Sequence, residues 1–550
     1  MTKVRPMTMI VSLVTTALLT ATPCTLLAQP LAWQQEKVDW KAGNGSRIKS
    51  IRYPAEDPHH LRTRRPMGYQ WSGQPAANIA TGTAALSSLD VTAPDTSASL
   101  SEVNSPPISG FVPWIAVAIT DARSDDFDFD AVPRSGVSGN YLTSEPNTGY
   151  AIGILDTGAS THILSAEGAA WTGLSSHTPS LLTTNASTIS GVTGEASLWV
   201  TKPLGLFIDG LGAIDANSLA LDPSTLFGET NVSISAGDPN GSPYVPTAIG
   251  TPLSVYCAAA IYNDHPVSVR WNGTSYSGPD VRVYDSEDPC VPSLSIQIPL
   301  ELRPADVYAV QYTPNLDFGG DIEDWFNTGF DEPSIPSIIT NGLTSGQSLF
   351  FLSSVDLTHN GKSATERTKF IVDTGAQVTV ISKAIAARLR LNLNNPEFEV
   401  EVEGVSGDSV VVPAFLIDLI ELPGLPDWLT FHDVPAIVLD VASPEGGVMD
   451  GIIGMNLFTD FNLVFHGGGM FLQPAPYLEV ERISRFSPAD IVPDGVVDGV
   501  DLVSLVQAWL SEPGQERWNP LADVAPLPSG DGRIDLLDFA LLASHWHQTR

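Results

Sequence analysis

Hydrophobic and polar positions alternate in short runs that read as strands of a mainly β protein. The clearest is Gly110 to Ile119, whose apolar positions predict a half-buried strand. Tyr150-Ala151-Ile152-Gly153-Ile154-Leu155 predicts another, and an acidic excursion from Asp121 to about Pro146 separates the two. Glycine-flanked tips at Ile189 to Glu195 and at Val402 to Asp408 sit between strand-like runs and predict two hairpins. Two apolar-apolar-glycine stretches, Ala248-Ile249-Gly250 and Ile452-Ile453-Gly454, predict two further short strands. Gly467-Gly468-Gly469 predicts a turn joining Phe461–Phe465 to Met470–Gln473. Beyond Arg485 the period changes, and two apolar helices are expected, ending at Trp509 and Trp546.

The order of these elements repeats. Ile154-Leu155-Asp156-Thr157-Gly158-Ala159-Ser160 returns as Ile371-Val372-Asp373-Thr374-Gly375-Ala376-Gln377, a constant offset of 217 that also aligns Thr161–Ser165 with Val378–Ser382. In each copy an apolar strand runs out at an aspartate. The threonine can hydrogen-bond locally and the glycine accepts a tight turn. Each copy is followed by a hairpin tip and then by an apolar-apolar-glycine strand. One Asp-Thr-Gly is weak evidence, but two with matched flanks and the same landmarks in the same order imply a pair of carboxylates.

These residues resemble the aspartic proteases, and the Asp-Thr-Gly-Ala form resembles their retropepsin-like branch. The resemblance implies two pseudo-twofold-related β lobes, each supplying one catalytic aspartate, here Asp156 and Asp373. Thr157, Gly158, Thr374 and Gly375 would support the catalytic loops. Gly191, Val192, Thr193 and Gly194, with Gly404, Val405, Ser406 and Gly407, would form flaps over a peptide substrate. It further implies that one carboxyl of a close pair keeps a proton, as is established for aspartic-protease dyads as a class. The ionised partner takes a proton from a water, and the protonated one donates to the scissile carbonyl. Pepsin-like relatives commonly carry a hydroxyl after the triplet. Ala159 and Ala376 stand there instead, which predicts a mildly acidic optimum and not one near pH 2. His162 is expected to be packed or exposed, not catalytic.

The tail carries a second repeat, of 37 residues: Asp494 to Asp501 aligns with Asp531 to Asp538. It resembles the dockerin type I module, a pair of EF-hand-related loop-helix units, and so implies bound Ca2+ and a cohesin-like partner. Asp490, Asp494, Asp498 and Asp501 take loop positions 1, 5, 9 and 12, with Val492 at position 3. In the second loop Asp531, Asp535 and Asp538 are in register, whereas Leu527 holds position 1 and Asp523 would have to reach in. An acid-rich helical hairpin without metal is the alternative.

Length and composition then bound the whole. At 550 residues and 43% hydrophobic content, the chain is expected to hold several domains. Lys3 and Arg5, the apolar run Met9–Leu19 and Leu26-Leu27-Ala28 read as a signal peptide over 1–28, which implies a secreted or cell-surface protein. The run is too short to span a membrane well. Cys24 would leave with it, and export then predicts a Cys257–Cys290 disulfide, with two free thiols as the alternative. Residues 1–28 hold two of the 27 basic residues and no acidic one, so the formal charge moves from −35 to −37. That argues against nucleic acid as a partner.

Residues 29–107 hold eight of the 27 basic residues and read as a propeptide or a tail, with Arg62-Thr63-Arg64-Arg65 as a processing point. The remaining divisions are a first lobe over 108–261, an insertion over 262–345, a second lobe over 346–480 and the calcium module over 485–550. Neither His-Glu-x-x-His nor Gly-x-Ser-x-Gly occurs. The expectation is a monomeric, exported aspartic endopeptidase that needs no cofactor for catalysis. A non-catalytic peptide-binding or adhesion protein on the same scaffold is the alternative.

Overall fold

The structure, a computed structural model, describes residues 33–54, 101–304 and 348–546 apart from short gaps, among them 192–193, 404–406, 484–488, 493–496 and 526–532. The signal-peptide region, Arg62–Arg65 and all of 305–347 lie outside the described residues. The fold is mainly β. A ten-stranded sheet is built wholly from residues 114–249, and a seventeen-stranded one takes 33–54, 102–104, 257–304 and 348–482.

The 217-residue offset reappears in the architecture. Tyr150–Leu155 pairs in parallel with Ala248–Ile249, as Phe370–Asp373 does with Gly451–Gly454. The helices that follow, Ala166–Trp171 and Lys383–Arg388, start at equivalent positions, capped by Ser165 and Ser382. Each serine hydroxyl accepts a backbone N–H three residues on, satisfying a donor that has no partner inside the helix. The two expected hairpins form. Leu182–Gly191 pairs with Gly194–Thr201, and Phe398–Glu403 with Ser409–Leu422. Alternation along Phe398–Glu403 buries Phe398, Val400 and Val402 against Ile371, Ala376 and Val378.

Several expectations change. The strand Cys257–Trp271 crosses the boundary drawn at 261/262 and turns back as Thr274–Asp285. Together with Ile296–Pro304, the start of the expected insertion therefore consists of sheet strands. Cys257–Trp271 also pairs with Phe461–His466, and Ile296–Pro304 with Tyr477–Arg482. Phe461–His466 pairs antiparallel with Tyr477–Arg482, and Met470–Gln473, the partner expected for it, lies outside the described residues. Leu478 and Val480 are the apolar residues that alternate inward there. The expected disulfide is absent: Cys257 and Cys290 are both free thiols. Cys257 begins its strand inside the core, while Cys290 lies exposed beyond Asp285, the residue opposite Cys257 in the ladder.

Part of the 29–107 segment is structured as well. Trp33–Gly43 and Ser46–Pro54 form an antiparallel hairpin, and the second strand continues the sheet onto Phe398–Glu403. Glu102–Asn104 joins Leu429–Val438 in parallel. No helix among the described residues is long and apolar enough to cross a membrane.

Candidate active site

Asp156 and Asp373 each stand at the end of a buried strand, held by the strand that crosses beside it. The Asp156 N–H donates to the Ile249 carbonyl, 2.9 Å, and Asp373 pairs with Gly454. Within each loop the carboxylate accepts from its own turn. Gly158 N–H reaches Asp156 Oδ1 at 3.1 Å, and Ala376 N–H reaches Asp373 Oδ1 at 2.9 Å. These bonds fix rotamers that water would otherwise leave free.

The threonines of the two loops interlock. Thr157 Oγ1 donates to the Val372 carbonyl at 2.7 Å, and Thr374 Oγ1 donates to the Leu155 carbonyl at 2.6 Å. Each hydroxyl also accepts the other loop's amide, Thr374 N–H and Thr157 N–H, both at 3.0 Å. Four buried bonds thus join loops 217 residues apart, and each hydroxyl spends its proton and a lone pair. A Cβ placed on Gly158 would lie 2.2 Å from Asp373 Cγ, so the Asp373 carboxylate rests directly on the turn that holds Asp156. Asp373 is fully buried and Asp156 is 4% exposed.

Behind the first loop His162 is completely buried. Its Nδ1 accepts the Gly250 N–H at 3.3 Å, which fixes the tautomer and leaves the Nε2 proton for Glu229 Oε1, 3.1 Å away. The equivalent residue of the second half is Thr379, whose hydroxyl accepts the Gly454 N–H at 3.3 Å and donates to Asn456 Oδ1 at 2.7 Å. His162 is therefore packed and serves as a brace. A Cβ on Gly250 would meet the Ala159 carbonyl oxygen at 2.3 Å, which explains the glycine there. Sequence reasoning missed Glu229. It also missed Gly110, whose N–H donates to the Gln377 carbonyl at 2.7 Å while its carbonyl accepts Gln377 Nε2 at 3.1 Å. The position of His162 at the offset of Thr379 was a usable signal for the brace, but Glu229 and Gly110 stand in no repeated pattern.

Of the expected flap residues, Gly191 and Gly194 face each other at the end of one hairpin, and Gly407 adopts φ +86° beyond the other. Val192, Thr193, Gly404, Val405 and Ser406 lie outside the described residues.

The C-terminal unit repeats at 37 residues in three dimensions. The helices Gly499–Gln507 and Leu536–Ser544 begin at Asp498 and Asp535, both in capping boxes. Asp501 accepts the N–H groups of Val492 and Asp498 at 2.8 Å each, and Asp538 those of Val524, Ala525 and Asp535 at 2.7–2.8 Å. Asp490, Asp501 and Asp538 are fully buried. Asp494 and Asp531 lie outside the described residues, and among the described ones no three acidic, His or Cys side chains are grouped to hold a metal. The helices turn Val503, Val506 and Leu536 outward, the last 70% exposed.

No curated protein matches the chain. Residues 355–457, which contain Asp373, the Phe398–Leu422 hairpin and Ile452-Ile453-Gly454, match the model of the aspartyl protease family.

Proposed function

We propose that the chain is an exported aspartic endopeptidase whose dyad is Asp156 and Asp373. The observation that carries this reading is the reciprocal threonine exchange, which seats the Asp373 carboxylate on Gly158 of the opposite loop. In an aspartic-protease dyad as a class, the two adjacent carboxyl groups share a proton. The ionised member deprotonates a water, the protonated member donates to the substrate carbonyl oxygen, and the water oxygen bonds to the carbonyl carbon. The tetrahedral adduct collapses as a proton passes to the leaving nitrogen and the C–N bond breaks. The products are a carboxylic acid and an amine, with no acyl-enzyme. Burial of both loops supplies a low-dielectric setting in which these charges act strongly. The hairpins 182–201 and 398–422 would cover an extended peptide. The signal-like leader supports action outside the cell.

The C-terminal unit is proposed to bind Ca2+ and to dock to a cohesin-like partner. Buried Asp490 and Asp501 suit a hard cation in the first loop, joined by Asp494 and Asp498. Asp523, Asp531, Asp535 and Asp538 would serve the second. Bound calcium would neutralise these carboxylates and tie each loop to its helix. The outward apolar residues of both helices support a protein partner.

Cleavage of a peptide library with and without pepstatin tests the catalytic reading. Asp156→Asn and Asp373→Asn are each expected to lower kcat by at least about 10^4-fold, with the fold intact. Undiminished hydrolysis in either variant overturns the dyad. Peptide binding by a wild-type chain that never cleaves would leave the non-catalytic binder.

A further inference from the structure

The N-terminal basic strand is complementary to the strand it joins. Phe398-Glu399-Val400-Glu401-Val402-Glu403 presents its glutamates on one face, and Ser46–Pro54 runs antiparallel beside it with Arg47 opposite Glu403, Ser50 opposite Glu401 and Arg52 opposite Glu399. Arg47 Nε and Lys49 Nζ both meet the Glu403 carboxylate, one on each oxygen. Ser50 Oγ donates to Glu401 Oε2 at 2.8 Å, and Arg52 lies 4.0 Å from Glu399. On the other face Ile48 and Ile51 enter the cluster formed by Val400, Val402, Ile371 and Ala376.

Glu403 is 1% exposed, so its charge depends on those two cations, whose side chains remain about one-third exposed. A buried carboxylate stripped of its partners is strongly disfavoured, whereas the cations lose little by returning to water. The hairpin 398–422 therefore depends on the basic strand for its buried charge, while the strand depends on the hairpin for the burial of Ile48 and Ile51. Glu403 is also the last described residue before the turn of that hairpin, and Ala376, two residues from Thr374, packs in the same cluster.

We propose that Arg47 and Lys49, acting through Glu403, are positioning residues for the proposed hydrolysis: the basic strand is a working third strand of the hairpin 398–422 and sets its posture over substrate. The kinetic half of this inference rests on the endopeptidase reading; the structural half does not. The strand would then belong to the active molecule and would not be a cover to be shed.

The test uses the full chain and compares wild type with Arg47→Gln/Lys49→Gln. One arm is amide hydrogen exchange over residues 398–403 and 409–413 without substrate. The other is the KM and kcat of peptide cleavage. The double variant is expected to exchange about tenfold faster in those segments and to raise KM about tenfold with kcat held within about twofold. Adding Glu403→Gln should then change neither value further, because the three groups act as one unit. Arg47→Lys with Lys49 intact should restore wild-type values. Should the double variant lose cooperative melting, Lys49→Gln alone carries the same comparison. Unchanged exchange in the substituted chain overturns the inference whatever KM does, and so does an unchanged KM in a chain that cleaves. If the wild type cleaves nothing but exchange still quickens, the endopeptidase reading fails and the positioning of the hairpin stands.

Discussion

At the scale of single residues, the threonines carry more of the site than their size suggests. Thr157→Val removes a donor to Val372 and an acceptor for Thr374, leaving a buried carbonyl and a buried amide without partners. A loss of about 2–4 kcal/mol in denaturant unfolding is expected, with Thr157→Ser recovering most of it. Another residue-level effect lies away from the dyad. Burial pushes the Asp209 carboxyl up from 3.8 to about 6, against the N–H groups of Gly210 and Val283 and the Thr225 hydroxyl, with nearby Asp280 adding to the rise. The folded chain thus keeps a proton that the unfolded chain releases between those values. Stability falls as pH rises through that window and is flat above it. Asp209→Asn keeps the Oδ1 acceptor without the charge. It is expected to gain about 1–3 kcal/mol at pH 7 and little near pH 4, read from unfolding curves at both.

Among the elements, the long hairpin 257–285 shows what pattern reading could and could not reach. Its tip strand packs Trp271 on Tyr150, centroids 4.3 Å apart, and edge-on to Trp171 at 5.5 Å. Trp114 Nε1 donates to the Ser277 carbonyl at 3.1 Å. Tyr150 opens the strand Tyr150–Leu155 that leads into Asp156, so the hairpin buttresses the route into the first loop. Trp271→Ala should cost about 3–5 kcal/mol by denaturant titration. None of this was legible, because the partners of the segment are distant in sequence. The two Asp-Thr-Gly loops were legible for the opposite reason. Their chemistry demands specific residues at fixed spacing, and the demand is made twice. The pairing of Phe461–His466 with Tyr477–Arg482 was not read from the sequence, because three glycines direct attention to the apolar run immediately after them.

Across the whole molecule, two repeats announced two units, one at 217 residues and one at 37, and both offsets hold in the helices and caps. What the sequence concealed is how early and late segments intermix. The basic strand near residue 50 completes a hairpin near residue 400, a pairing that no local pattern encodes. Chelation tests the C-terminal unit at this scale. Calorimetry in EDTA is expected to lower one melting transition, that of residues 489–546, while adding Ca2+ raises it and leaves the β body unmoved.

The threonine exchange, together with the strands that 257–304 contributes beside 461–482, has a topological outcome. Severing the backbone anywhere in 305–347 would leave two polypeptides that each hold one aspartate of the proposed dyad and that share several sheet seams. Such fragments, produced together in one host, should copurify and regain hydrolysis, whereas either alone should be inert. On that outcome the chain would amount to an obligate heterodimer whose partners happen to be tethered.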